Sequence, residues 1–164
     1  MKQDKSYKLG IIGTGCIAET KTIPAILSLN EFDITCAYDN DKERLENICN
    51  KFSIPSLTSF EELLSKKCDA VYIASPNCYH VSYAIEALKN GIAVFVEKPC
   101  ADTLKSAEML LEAAGKSDKP LLVGYMAKWN KHNQKAKQLV MEKRLSIYTV
   151  PVEGYNRSGG VLKT

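Results

Sequence analysis

Gly10-Ile-Ile-Gly13-Thr-Gly15-Cys-Ile-Ala18 sets a G-x-G-x-x-A turn between a short apolar strand, Tyr7 to Ile12, and a helical stretch. That context gives each glycine a purpose. Gly13 lets the chain turn tightly out of the strand, Gly15 has no side chain to block a pyrophosphate, and Ala18 is small enough for the helix to pack closely on a sheet. The helix N-terminus points unpaired N–H groups at the phosphates, so Gly13, Thr14, Gly15, Cys16 and Ile17 form the expected phosphate turn. A glycine triplet alone is equally an ordinary strand-to-helix turn. A second signal follows it. Phe32 to Tyr38 reads as the next strand and ends at Asp39, roughly 20 residues past the fingerprint, where an acidic side chain accepts from both ribose hydroxyls. Together the two signals predict dinucleotide binding.

Outward from this turn, strand and helix signals alternate with little loop between them. A helix is expected from about Cys16 to Leu29, kinked or divided at Pro24. After Asp39, Asp41 to Phe52 places Leu45, Ile48, Cys49 and Phe52 on one helical face. Ser59-Phe-Glu-Glu62 is a capping box opening a short helix. Asp69 to Ala74 is a buried strand closed by Ser75-Pro76-Asn77, and Tyr79 to Asn90 a helix with Gly91 as its left-handed cap. Ile92 to Val96 is another buried strand, ended by Glu97-Lys98-Pro99. A helix from about Thr103 to Ala114 ends near Gly115, and Pro120 to Gly124 is the last strand of the series.

This succession predicts the α/β class: a doubly wound parallel sheet, or Rossmann fold, over residues 1–124. Residues 125–164 are then the beginning of a second α+β domain. Asn130 to Arg144 reads as a basic amphipathic helix, and Ser146 to Gly154 alternates like a strand that Pro151 confines to an edge or bulge.

Composition narrows the partners. With 45% hydrophobic and 25% charged residues, the chain has an ordinary globular make-up. The net charge of +3 comes from scattered lysines without a basic stripe, so neither nucleic acid nor an anionic membrane is an expected partner. The polar start, Met1 to Lys8, leads into an apolar run too short for a signal segment or a span, which points to the cytoplasm. The six cysteines show no C-x-x-C pair and read as reduced, apolar-like residues. With two histidines and no helical His/Glu pairing, no metal site is expected.

Three motifs in order resemble the Gfo/Idh/MocA oxidoreductases, which include glucose-fructose oxidoreductase and inositol dehydrogenase. They are Gly13-Thr-Gly15-Cys-Ile-Ala18, then Asp69 to Asn77 with His80 three residues on, then Glu97-Lys98-Pro99. The last is the most specific. The resemblance covers Lys8 to about Gly124 and implies an NAD(P)-dependent dehydrogenase or reductase acting on a sugar, cyclitol or related polyol, with possible homo-oligomers formed through a second domain. It implies that Lys98 is the catalytic lysine, hydrogen-bonded to the reacting hydroxyl or carbonyl, and that a cis bond before Pro99 directs it. It also implies that Ser158 to Thr164 begins a segment in which an Asp and a His follow a glycine run. Thr164 falls about where that Asp is expected, so the chain resembles a truncated member.

The remaining site residues carry alternatives. Glu97 either pairs with Lys98 or contacts the nicotinamide region. Ser75, Pro76 and Asn77 line the cofactor cleft, Asn77 also serving as a helix cap. His80 lies either near the nicotinamide or in a partly exposed structural place. Tyr125, Met126, Lys128 and Trp129 continue the last strand toward the same edge. Asp39 favours NAD over NADP, because its carboxylate accepts from the 2′-hydroxyl and no arginine stands immediately beside it for a 2′-phosphate. Against the oxidoreductase reading stand a dinucleotide-binding module without turnover and a remnant with no role of its own.

Overall fold

In a computed structural model, which describes residues 6–142, the apolar runs pair as five parallel strands in the order β2-β1-β3-β4-β5. These are β1 (Tyr7–Ile12), β2 (Phe32–Tyr38), β3 (Ala70–Ile73), β4 (Ala93–Val96) and β5 (Leu121–Val123). Helices α1 (Ile23–Leu27), α2 (Lys42–Phe52), α3 (Phe60–Ser65), α4 (Asn77–Lys89) and α5 (Leu104–Lys116) connect them. Alternation along the strands feeds two cores, because successive side chains point to opposite faces. Leu9, Ile11 and Tyr72 pack with Ile23, Leu45 and Ile48 of α1 and α2. Ile12, Val71, Ile73, Val94 and Val96 pack with Leu63, Val81, Ala84 and Leu110 of α3, α4 and α5. Helices on both faces of a parallel sheet make this the doubly wound α/β fold. The strand order places β1 and β3 side by side at the point where the winding reverses.

Local signals explain the element boundaries. Asp41 caps α2 by accepting from the Arg44 N–H, and Ser53 at φ 56° ends it. The expected box at Ser59 is altered: Ser59 accepts from the Glu62 N–H, but the Glu62 carboxylate reaches one residue further back, to the N–H and hydroxyl of Thr58. A complete capping box stands at α5 instead, between Thr103 and Ser106, and α5 runs through Gly115 to Lys116. Helix α4 starts two residues before Tyr79, with Pro76 in the cap position and no side-chain cap, so Asn77 is the first helical residue and does not cap.

Pro24 does not divide the first helix. Residues 16–27 are helical throughout, with a π turn at Ala18–Thr22 immediately before α1. Pro24 has no N–H to return to the preceding turn. The ladder widens there, and the Ile23 N–H bonds to the Ala18 carbonyl five residues back.

The described residues form two compact units, divided after Tyr125. In the second, a 3₁₀ turn, Met126–Trp129, precedes α6 (Lys131–Met141), which Asn130 caps with its side-chain oxygen on the N–H groups of His132 and Asn133. The expected continuation of β5 through Tyr125 to Trp129 is therefore corrected: the strand stops at Val123. The expected strand Ser146 to Gly154 and the segment Ser158 to Thr164 lie outside the described residues.

Candidate active site and cofactor cleft

Because all five strands are parallel, the segments that follow them meet at one edge of the sheet. Asp39 follows β2, the Gly13–Gly15 turn follows β1, Ser75 follows β3, and Glu97 and Lys98 follow β4. Read across the sheet, this is the order Asp39, phosphate turn, Ser75, Lys98. Three strand spacings of about 4.8 Å separate its ends, on the order of 14 Å.

The two glycines of the turn do different work. Gly13 has φ +93°, and a Cβ on it would come within 2.5 Å of the Ser75 nitrogen and 2.7 Å of the Ala74 oxygen. The turn thus lies directly against the end of β3, an approach only glycine permits. A Cβ on Gly15 would meet nothing within 4 Å. Its open side lies at the start of the helical run over residues 16–27, where first-turn N–H groups have no partner within their own helix. Ala18, fully buried, lets that run pack closely on the sheet. Space beside unsatisfied donors is the chemistry that a pyrophosphate requires, so this turn fits the dinucleotide. Cys16 and Ile17 are exposed there.

Thr14 is turned inward, 1% exposed. Its N–H donates to Asp39 Oδ2 at 2.7 Å and its hydroxyl to the same oxygen at 3.0 Å, tying the turn to the end of β2. Asp39 Oδ1 accepts from the Asp41 N–H at 2.9 Å. Arg44 completes the cluster with Nη2 2.7 Å from Oδ1 and Nε 3.3 Å from Oδ2, while its Nη1 lies 3.1 Å from Asp41 Oδ2. Burial pushes the Asp39 carboxyl up, but the hydrogen bonds from Arg44, Thr14 and Asp41 outweigh it and hold the group below the usual carboxylate range. The expectation that no arginine stands beside Asp39 is therefore corrected. Arg44 lies five residues on, yet Asp41 caps α2, and the third helical residue reaches back toward the cap. A cleft of about 350 Å³ opens here, walled by Gly13, Asp39, Arg44, Ser75, Pro76 and the rings of Tyr38, Tyr79 and Tyr83.

At the other end, His80 is buried and its two ring nitrogens lie 2.8 Å from the carbonyl oxygens of Ser75 and Pro99. It is neither partly exposed nor open to a ligand. It bridges the segment after β3 to the segment after β4. Glu97 makes no ion pair with the Lys98 ammonium among the described residues. It accepts from the Tyr72 hydroxyl at 2.9 Å and from the Lys98 backbone N–H at 3.2 Å. Tyr72 itself accepts from the Thr22 hydroxyl at 2.9 Å, so a chain of hydrogen bonds runs from the π turn through β3 to Glu97. Burial raises the Tyr72 phenol, which stays a proton donor to that carboxylate. The Lys98–Pro99 bond is cis, as the resemblance implies. Lys98 is exposed, and among the described residues no hydrogen bond or ion pair engages its ammonium. The described residues contain no group of three or more His, Cys, Asp or Glu placed to hold a metal ion, and no helix long and apolar enough to cross a membrane.

Residues 7–125 match a family model described as an oxidoreductase family with an NAD-binding Rossmann fold, Gfo/Idh/MocA. A Salmonella typhimurium protein named as the oxidoreductase YceM is 31% identical over 121 residues, 74% of this chain and 39% of its own length. The NADP(+)-dependent scyllo-inositol 2-dehydrogenase IolU of Bacillus subtilis is 31% identical over 109 residues, 65% of this chain and 33% of its own. Among solved structures, the scyllo-inositol dehydrogenase of Lactobacillus casei with bound NAD(H) and scyllo-inositol superposes with a TM-score of 0.78 at 22% identity, covering 85% of this chain and 42% of that one. At that identity the superposition speaks for the fold. The chain spans between about a third and two fifths of the length of the curated relatives it matches.

Proposed function

Since the chain belongs to the Gfo/Idh/MocA oxidoreductase family, we propose that it holds a nicotinamide dinucleotide along the carboxyl edge of its sheet for hydride transfer to or from a sugar, cyclitol or related polyol. Residues 1–124 form the cofactor domain in this reading, and residues 125–164 begin the substrate domain. The observation that carries the reading is the line of four loops across the edge, with open space at Gly15 between an acidic cleft at one end and a free lysine at the other.

The adenosine end lies in the Asp39 cleft, the pyrophosphate at Gly15, Cys16 and Ile17, and the nicotinamide toward Ser75, Asn77 and Lys98. The Asp39 carboxylate supports NAD as the preferred dinucleotide, since it accepts from a ribose diol and opposes a 2′-phosphate. When bound, the nicotinamide supplies the two-electron hydride acceptor or donor.

Lys98 supplies positive charge where the substrate oxygen becomes alkoxide-like, which lowers the barrier only if the ammonium is free to meet that oxygen. Among the described residues no carboxylate pairs with it, which keeps it so. Glu97 stays engaged with Tyr72 and fixes the backbone from which Lys98 projects. His80 locks the Ser75 and Pro99 segments together and thereby sets the spacing between the cofactor wall and the lysine. Fluorescence titration with NADH, repeated on Gly15→Val, tests the reading. Saturable binding that the valine abolishes is expected, and binding indifferent to the valine would overturn it.

A further inference from the structure

We propose that Cys36 and Cys68 form a reversible dithiol–disulfide site, closed by a small hydroperoxide, that ties β2 to the turn before β3 across the strand between them, β1. Its residues are none of those assigned to the cofactor.

Three local features bring the two thiols together. Between the pairs Leu9–Ile34 and Gly10–Cys36, strand β2 carries one residue more than β1, and that extra residue is Thr35. Such a bulge re-aims the side chains around it. Here the Thr35 hydroxyl lies 3.6 Å from Cys68 Sγ and 4.0 Å from Cys36 Sγ, and the two sulfurs are 3.8 Å apart. Gly10 leaves the room for them: a Cβ there would stand 3.3 Å from Cys68 Sγ. On the other side, Cys68 follows Lys67, whose φ of 52° puts the turn after α3 in the left-handed region. That turn belongs to no strand. The chain is anchored again only at Asp69, whose N–H donates to the Lys8 carbonyl at 2.9 Å and whose Oδ2 accepts from the Lys8 N–H at 2.8 Å. A disulfide holds its sulfurs at ~2.05 Å, so from 3.8 Å they close by about 1.8 Å. Because β2 is held by its ladder to β1, that movement falls on Lys66, Lys67 and Cys68.

Both thiols are buried, and burial in apolar surroundings by itself leaves a thiol inert. The cluster reverses this for one of them. When Cys68 is the thiolate, the Cys36 S–H and the Thr35 O–H both donate to it, which holds the Cys68 thiol below its ordinary range, while the same donation keeps the Cys36 proton in place. Cys68 is therefore the attacking sulfur. It is also the one nearer water, beside the exposed Lys66 and Lys67. Its thiolate attacks one peroxide oxygen, the O–O bond breaks, and Cys68 becomes a sulfenic acid while the departing hydroxide takes up the proton that Cys68 released. The Cys36 sulfur then attacks the Cys68 sulfur. The S–S bond forms, the S–O bond breaks, and the hydroxyl leaves with the Cys36 proton as a second water. The two thiols lose two electrons and the peroxide gains them.

The test oxidises the full chain with a few equivalents of hydrogen peroxide, alkylates the remaining thiols after unfolding, and maps the peptides by mass, with circular dichroism confirming that the oxidised chain is folded. The expected result is the loss of two free thiols into a peptide pair linked from Cys36 to Cys68, two hydrogen atoms lighter, as the predominant link and reopened by dithiothreitol. In Cys36→Ser the second step is blocked, so dimedone should capture a sulfenic acid on Cys68 that the native chain does not accumulate. Absence of that adduct in the folded variant overturns the assignment of Cys68 as the attacking sulfur. Cys36 and Cys68 still free after the exposed Cys16 and Cys78 have reacted would overturn the whole proposal, as would a link that forms only with loss of the helical signal. If the serine variant does not fold, the peptide map of the native chain decides alone.

Discussion

At the scale of single residues, the two turn glycines separate fold from function. Gly13→Ala places a Cβ against the backbone at Ser75 in a left-handed conformation. It should cost about 2–3 kcal/mol of stability, seen as a lower melting temperature. Gly15→Ala meets nothing, so the melting temperature should stay within about 2 °C while dinucleotide affinity drops at least about tenfold. Unchanged affinity in that variant would place the pyrophosphate elsewhere. Asp39 makes a second residue-level claim. Its carboxyl is held below its unfolded value, so it contributes stability above pH ~4 that is lost as pH falls through the folded value. Asp39→Asn should be less stable than the native chain by about 1–3 kcal/mol at pH 7, with the gap closing toward pH 3. Urea melts at the two pH values check this, and a constant gap would show that the charge of Asp39 carries no stability.

At the scale of elements, the site depends on side chains that tie one strand end to another. His80, in the first turn of α4, joins the segments after β3 and β4. His80→Ala removes that bridge and leaves a void in the core, so a loss of about 2–4 kcal/mol is expected, together with weaker cofactor binding. Tyr72→Phe removes the donor to Glu97 and the acceptor for Thr22, for about 1–2 kcal/mol. Thermal melts of both variants test whether these links bear on the fold, and native melting temperatures would refute them. Such ties are what the sequence left unread. The strands, the glycine turn and Asp39 were legible because each is a local pattern. Tyr72 and Glu97 are 25 residues apart and Thr22 and Tyr72 50 apart, joined only once β1, β3 and β4 are neighbours. Arg44 was closer to legible: Asp41 as a helix cap puts the third helical residue back over Asp39, but its partner lies outside the helix and no periodicity marks it. The π turn had a signal, Pro24, which predicts a kink or a division because proline removes a donor without saying how the preceding turn compensates.

At the scale of the whole molecule, binding and turnover depend on different parts. In the proposed reading the dinucleotide meets the ends of β1, β2, β3 and β4, all inside a unit with two apolar cores of its own, so the 164-residue polypeptide should bind NADH saturably. Hydride exchange with a polyol asks in addition for a group that takes or returns the hydroxyl proton. Lys98 offers an ammonium at the right edge. Of the two histidines, His80 has both ring nitrogens occupied by carbonyls, and His132 is exposed on α6, in the other compact unit. In the proposed reading the described residues thus supply charge stabilisation but no proton acceptor, and a polyol would lack the near-attack placement that a substrate pocket provides. This polypeptide by itself should therefore show cofactor binding without NAD reduction above background on inositol or glucose. Absorbance at the NADH band, followed beside the binding titration, checks both halves at once. Steady NADH formation that disappears in Lys98→Ala would show that the 164-residue polypeptide already contains the proton acceptor, and would move the search for it to the segment after Glu142.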